Sequence, residues 1–94
     1  MPPSAKTVVI VGASRGIGAC LAREYAARGW TLGLLARSED ALAMLGHELR
    51  NGGTRVETAV LDVADTARVA PVLGDLMQRL GRVDLVIANA GVLG

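Results

Sequence analysis

Phenylalanine is absent from this chain of 94 residues, which carries one tryptophan and one tyrosine. Its core must therefore be packed from Val, Leu, Ile and Ala, a set that suits parallel strands closely covered by helices. A single cysteine, Cys20, excludes an internal disulfide and fits a reducing, cytoplasmic setting. Lying inside a helical pattern, it reads as a small buried or half-buried hydrophobe. The only histidine, His47, stands alone on a helical stretch with no ligand-like spacing around it, so it reads as a surface residue and no metal site is expected. An excess of one charge is also lacking. Ten basic residues against nine acidic ones leave a net charge of +1, which gives no general pull towards nucleic acid or acidic membranes. The apolar runs are far too short to span a bilayer. The start, Met-Pro-Pro-Ser-Ala-Lys, has neither the basic opening nor the apolar core of a signal peptide. With 51% hydrophobic residues in so short a chain, one small globular domain over residues 6–94 is expected, with residues 1–5 as a loose, disordered tail.

What the chain does have is glycine at particular places. An apolar run, Lys6 to Val11, reads as a buried strand, and Ile17 to Arg28 reads as a helix. Between them lies Gly12-Ala13-Ser14-Arg15-Gly16-Ile17-Gly18. A glycine loop that turns a strand into a helix is suited to a phosphate, because the free N–H groups and partial positive charge of the helix start face the anion. Gly12 permits the sharp turn, Gly16 lets backbone approach a pyrophosphate, and Gly18 lets the helix pack on the strand. The Ser14 hydroxyl and the Ile17 N–H are well placed to reach the same phosphate. The spacing G-x-x-x-G-x-G differs from the commonest dinucleotide fingerprint, and no Lys-Ser/Thr follows Gly18 to make a Walker A loop.

Strand and helix alternate four times. Ile17, Leu21 and Tyr25 set a stripe on the first helix, which Gly29 stops. Residues 31–36 form the second strand, and Trp30 packs at its start. Ser38 caps a second helix whose first turn holds Glu39 and Asp40 and whose buried stripe is Leu42, Leu45 and Leu49. Residues 55–61 read as an edge-like third strand, since Arg55 and Glu57 interrupt it. Asp65 or Thr66 opens a third helix, in which Pro71 should kink the helix or shift its start, and Gly81 ends it. Residues 83–88 form the fourth strand. This alternation implies an α/β Rossmann-type parallel sheet with right-handed crossovers in the order 3-2-1-4. The crevice between strands 1 and 4 is then the ligand site, where the glycine loop meets Asn89-Ala90-Gly91.

These motifs resemble the N-terminal half of a classical short-chain dehydrogenase/reductase. The family's T-G-x-x-x-G-I-G stands here as Val11 to Gly18, its Asp-Val after strand 3 as Asp62-Val63, and its N-N-A-G after strand 4 as Ala88 to Gly91. Val11 replaces the Thr, whose hydroxyl would tether the loop, and Ala88 replaces the first Asn. The resemblance implies that Asp62 meets the adenine amino group and the Val63 backbone the ring. It also implies that Asn89 bridges strand 4 to its neighbour and that Asn89, Ala90 and Gly91 line the inner ribose. The family's catalytic Ser and Tyr-x-x-x-Lys come later than N-N-A-G. The only Tyr here, Tyr25, and the only Lys, Lys6, cannot replace them, so no catalytic residue is assigned and the chain is expected to be truncated after the fourth strand.

Cofactor choice turns on two arginines. An NAD site carries an acid near the end of strand 2 for the ribose 2′-OH. Here Ala36-Arg37 stands instead, and Arg37 offers a charged fork to a 2′-phosphate. In related NADP-dependent reductases an Arg just before the second loop glycine acts similarly, and Arg15 holds that position. The expected cofactor is NADP(H) in preference to NAD. The expected parent is a homo-oligomeric oxidoreductase that moves a hydride between NADPH and a small carbonyl or alcohol. The alternative is a non-catalytic nucleotide-binding half-domain that serves as a sensor or partner subunit.

Overall fold

The computed structural model describes residues 6–14 and 16–89. The expected tail, together with Arg15, Ala90 and Gly91 of the expected site, lies outside the described residues. The elements run β1 (Thr7–Val11), α1 (Gly16–Ala27), β2 (Thr31–Ala36), α2 (Glu39–Asn51), β3 (Val56–Val60), α3 (Thr66–Leu80) and β4 (Leu85–Ala88). All strand pairs are parallel and the order is β3-β2-β1-β4, the order that the alternation predicts.

Side chains alternate across a strand, and helices cover β1, β2 and β3 from the two faces of this sheet while β4 is left mostly exposed. Val8, Ile10, Leu32, Leu34 and Val56 point to one face, where Ala19 and Ala22 of α1 and Leu42, Leu45 and Leu49 of α2 close over them. Val9 and Leu35 point to the other, against Leu76 and Leu80 of α3. At Gly33 the second layer comes so near that a Cβ would stand 2.6 Å from Leu80 Cδ1 and 3.2 Å from Val9 Cγ2. The core is aliphatic throughout. Trp30 and Tyr25 pack at its margin, with ring centroids 4.8 Å apart at 69°.

Several details differ from expectation. The stripe Ile17–Leu21–Tyr25 is not the buried face of α1. Gly18, Ala19 and Ala22 are buried, while Leu21 and Tyr25 are half-buried and Ile17 is 69% exposed. Small residues let the helix axis lie close to the sheet, which turns the larger side chains to its flank. Cys20 lies on that outward side and is exposed, not buried. Pro71 does not shift the start of α3, since the helix runs from Thr66 with Pro71 in its second turn. β4 begins at Leu85 rather than at residue 83, and just before it Asp84 locks onto β1: its N–H donates to Thr7 O and its carboxylate accepts the Thr7 N–H, each at 2.9 Å. No helix among the described residues is long and apolar enough to cross a membrane.

Candidate functional site

The carboxyl ends of the four strands form one crest. Register pairs Val11 with both Leu35 and Ala88, and Ala36 with Val60. The chain therefore leaves all four strands along one edge, with Gly12, Arg37 and Asn89 directly after β1, β2 and β4 and Asp62 two residues beyond the end of β3, on strands about 4.8 Å apart.

At the centre of the crest, β1 gives way to the glycine loop. Gly12 has φ 83°, a left-handed conformation that favours glycine. The Gly12 and Ala13 N–H groups both donate to Leu35 O, at 2.8 and 3.0 Å. The loop is thus tied to the end of β2 by backbone alone, with Val11 where a threonine hydroxyl was expected to be missed. Ala13 is fully buried and anchors the turn in the core. Gly16 opens α1 at φ 61°, and the space that its Cβ would take holds no atom within 4 Å. Gly18 faces inward: a Cβ there would fall on the Gly12 carbonyl oxygen and stand 2.9 Å from its carbon. The three glycines thus serve a turn, an open approach and a close helix–strand contact. The first turn of α1 holds no acid, so no residue of that turn answers the helix dipole, whereas α2 has Glu39 and Asp40 in its first turn.

Two neighbours flank the loop. Arg37 follows β2 and is exposed. Among the described arginines, Arg23, Arg28, Arg79 and Arg82 pair with acids, and Arg50 and Arg55 donate to carbonyls. Arg37 and Arg68 have no such partner among the described residues. Asp62 lies beyond β3, where its Oδ1 accepts the Ala64 N–H at 2.9 Å and its carbonyl accepts the Asp65 N–H at 2.9 Å. That turn fixes the carboxylate's direction and leaves its second oxygen without a bond among the described residues. Val63 beside it is 37% exposed. Asn89 extends the β4 ladder through its N–H to Val11 O at 2.9 Å, bridging the strand to its neighbour.

Beside the crest, an open groove of about 670 Å³ is lined by Ser14, Gly16, Ile17, Ala19, Cys20, Leu21 and Arg23. The apolar periodicity of α1 hides it, because Ile17 falls on one stripe with Leu21 and Tyr25. The usable signal was the run of small residues Gly18, Ala19 and Ala22. Arg23 on the same helix reaches α2 through a fork to Glu48, with Nε–Oε2 2.8 Å and Nη2–Oε1 3.2 Å. That hydrogen bond holds the Glu48 carboxyl below its ordinary pKa.

A family model described as short chain dehydrogenase matches residues 6–94. Sulfoacetaldehyde reductase 2 of Chromohalobacter salexigens is 42% identical over 85 residues, which are 90% of this chain and 33% of that protein. The structure of L-sorbose reductase from Gluconobacter frateurii, complexed with NADPH and L-sorbose, superposes with a TM-score of 0.87 at 34% identity, covering 97% of this chain and 35% of that one. A short-chain dehydrogenase/reductase from Burkholderia phymatum, in complex with NAD, gives 0.81 at 32% identity over 88% of this chain and 30% of that one. The chain spans about a third of the length of the first curated relatives it matches.

Proposed function

The chain belongs to the short-chain dehydrogenase family, and from that premise we propose that it is the NADP(H)-binding part of an oxidoreductase acting on a small carbonyl or alcohol. The observation that carries the cofactor reading is Arg37. It stands after Ala36, where an NAD-selective site has an acid, and its guanidinium is committed to nothing among the described residues. The open space at Gly16 and the acid-free first turn of α1 fit a pyrophosphate.

In this reading the backbone of Gly12 to Gly18 and the Ser14 hydroxyl hold the pyrophosphate, and Arg37 with Arg15 holds the 2′-phosphate. Asp62 and the Val63 backbone hold the adenine. Asn89, Ala90 and Gly91 line the inner ribose. NADPH, when bound, supplies the hydride for a carbonyl carbon. These residues bind and orient, and none of them supplies the proton that the carbonyl oxygen then needs. Tyr25 packs against Trp30, and Lys6 Nζ lies 5.7 Å from the same ring, where β1 and β2 begin, at the end opposite the crest. The 94 residues by themselves should therefore turn over no substrate. NADPH oxidation by the purified chain with a panel of ketones and aldehydes checks this, and sustained turnover would overturn it.

The cofactor assignment is tested by Arg37→Ala. NADPH binding should weaken by roughly 1.5–3 kcal/mol, the scale of a charge-assisted hydrogen bond. NADH binding should hardly change, because NADH has no 2′-phosphate. Arg15→Ala should act in the same direction. Calorimetric titration with both cofactors decides, and equal losses for NADPH and NADH would sink the reading.

A further inference from the structure

β3 is an outer strand of the sheet, and one side of its backbone faces no other strand. Which groups face outward follows from the ladder. Leu32 N–H donates to Arg55 O at 3.0 Å, and Leu61 N–H donates to Ala36 O at 2.9 Å. Backbone groups of successive strand residues address alternate sides, so residues 55, 57, 59 and 61 serve β2, and Val56, Thr58 and Val60 serve the free edge. Val56 and Thr58 are the two whose carbonyls receive arginine side chains. Arg50, in the last turn of α2, donates to Val56 O through Nε at 3.2 Å and Nη2 at 2.8 Å. Arg79, in the last turn of α3, donates to Thr58 O through Nη2 at 3.1 Å. The two helices lie on opposite faces of the sheet, so the edge is gripped from above and below.

Arg79 is itself held in place. Its Nη1 meets Glu57 Oε1 at 3.2 Å, its Nε meets Asp75 Oδ2 at 3.3 Å, and its carbonyl accepts Arg55 Nη2 at 2.9 Å. The Arg50 fork meets a part-buried carbonyl and so also satisfies that acceptor, since Val56 is 4% exposed, whereas at the exposed Thr58 carbonyl water would serve at little cost. What both arginines change is what else can bond there. A further strand must lie about 4.8 Å from β3, in the lane that the two guanidinium groups occupy. The other outer strand differs. Asn89 N–H addresses β1, so Val86 and Ala88 face outward on β4, and no side chain among the described residues bonds to their backbone.

We infer that Arg50 and Arg79 form a paired guard that closes the β3 edge to strand addition by a second copy of this chain. Long, flat strand edges recruit other chains, and charged side chains are a common way of blunting them. This pair acts by direct occupation of the acceptors.

The test replaces both donors and keeps their aliphatic stems, as Arg50→Met with Arg79→Met. Sedimentation of the double variant should show self-association at about a tenfold lower concentration than the parent, the scale of one lost charge-assisted bond or more. Hydrogen exchange should show new protection of the Val56, Thr58 and Val60 amides in the associated form. Adding Thr58→Pro, which removes an outward N–H that β2 does not use, should restore the parent's behaviour. The two single variants are measured in parallel, and association is compared among the variants whose far-ultraviolet circular dichroism matches the parent's. Unchanged association in a folded variant would overturn the inference, as would protection gained only on β4 or no rescue by proline. Loss of folding in all three variants would also overturn it, because the arginines would then hold β3 in place rather than guard it.

Discussion

At the scale of the residue, Gly18 has the most closely defined role. A Cβ at Gly18 would collide with the Gly12 carbonyl, a backbone group that cannot rotate away. Gly18→Ala gains up to about 1 kcal/mol in helix propensity, but it forces α1 off β1 at a cost of about 1–3 kcal/mol or more. The net effect expected in urea unfolding is a loss of stability, accompanied by weaker nucleotide binding. Glu48 carries a pH dependence. The fork from Arg23 holds its carboxyl below the ordinary value, so its stabilising contribution is present above the unfolded pKa and is lost as pH falls through the folded one. Both groups are exposed, so the effect is small. Thermal melts from neutral pH downward should show the parent losing slightly more stability than Glu48→Gln below about pH 4.5; parallel curves would contradict this. The glycines were legible in the sequence because each answers a purely local demand of turn or approach. Ile17 and Cys20 were not, because which side of α1 meets the sheet depends on how closely Gly18, Ala19 and Ala22 let the helix approach.

At the scale of the element, boundaries follow local chemistry where a side chain dictates them. Ser38 caps α2 as expected, accepting the Ala41 N–H at 3.2 Å. Ser38→Ala should lower stability by about 1 kcal/mol, measured as a shift in the urea midpoint. Gly29 and Gly81 end their helices at positive φ, 83° and 82°, as the sequence predicts. The Asp84 lock on Thr7 was not legible, because it joins residues 77 positions apart. The guard on β3 was hidden in the same way, since Arg50 and Arg79 look like ordinary helix-end cations until the fold brings them to the edge. Pro71 is the element-scale anomaly. It denies α3 one bond to Ala67 O and crowds that carbonyl, an interior cost of about 3 kcal/mol that solvent exposure reduces. Its restriction of the unfolded chain returns only about 0.4–1 kcal/mol. Pro71→Ala should therefore raise stability by about 1–2 kcal/mol, read from the melting temperature, and a decrease would mean that the proline is better accommodated than its place in the helix suggests.

At the scale of the whole molecule, the strand order was legible from connectivity, because right-handed crossovers leave few ways to arrange four parallel strands. The two edges of that sheet are unequal, and this determines how the chain should behave in solution. β3 carries mixed polarity, with Arg55, Glu57 and Thr58 among its residues, and its outward carbonyls are taken by Arg50 and Arg79. β4 is apolar, with Leu85 37% and Val86 45% exposed, and its outward backbone is unguarded among the described residues. A domain this small has little stability in reserve, so burial of that edge against another chain is favoured. The purified 94-residue chain should self-associate through β4, with a light-scattering mass that rises with concentration. Val86→Lys places a charge on that strand and should move the onset to higher concentration, whereas a charge added to β3, as in Val60→Lys, should move it little. A monomer that stays monomeric at all concentrations and melts cooperatively would show instead that these four strands suffice by themselves, and it would favour a self-standing nucleotide-binding module.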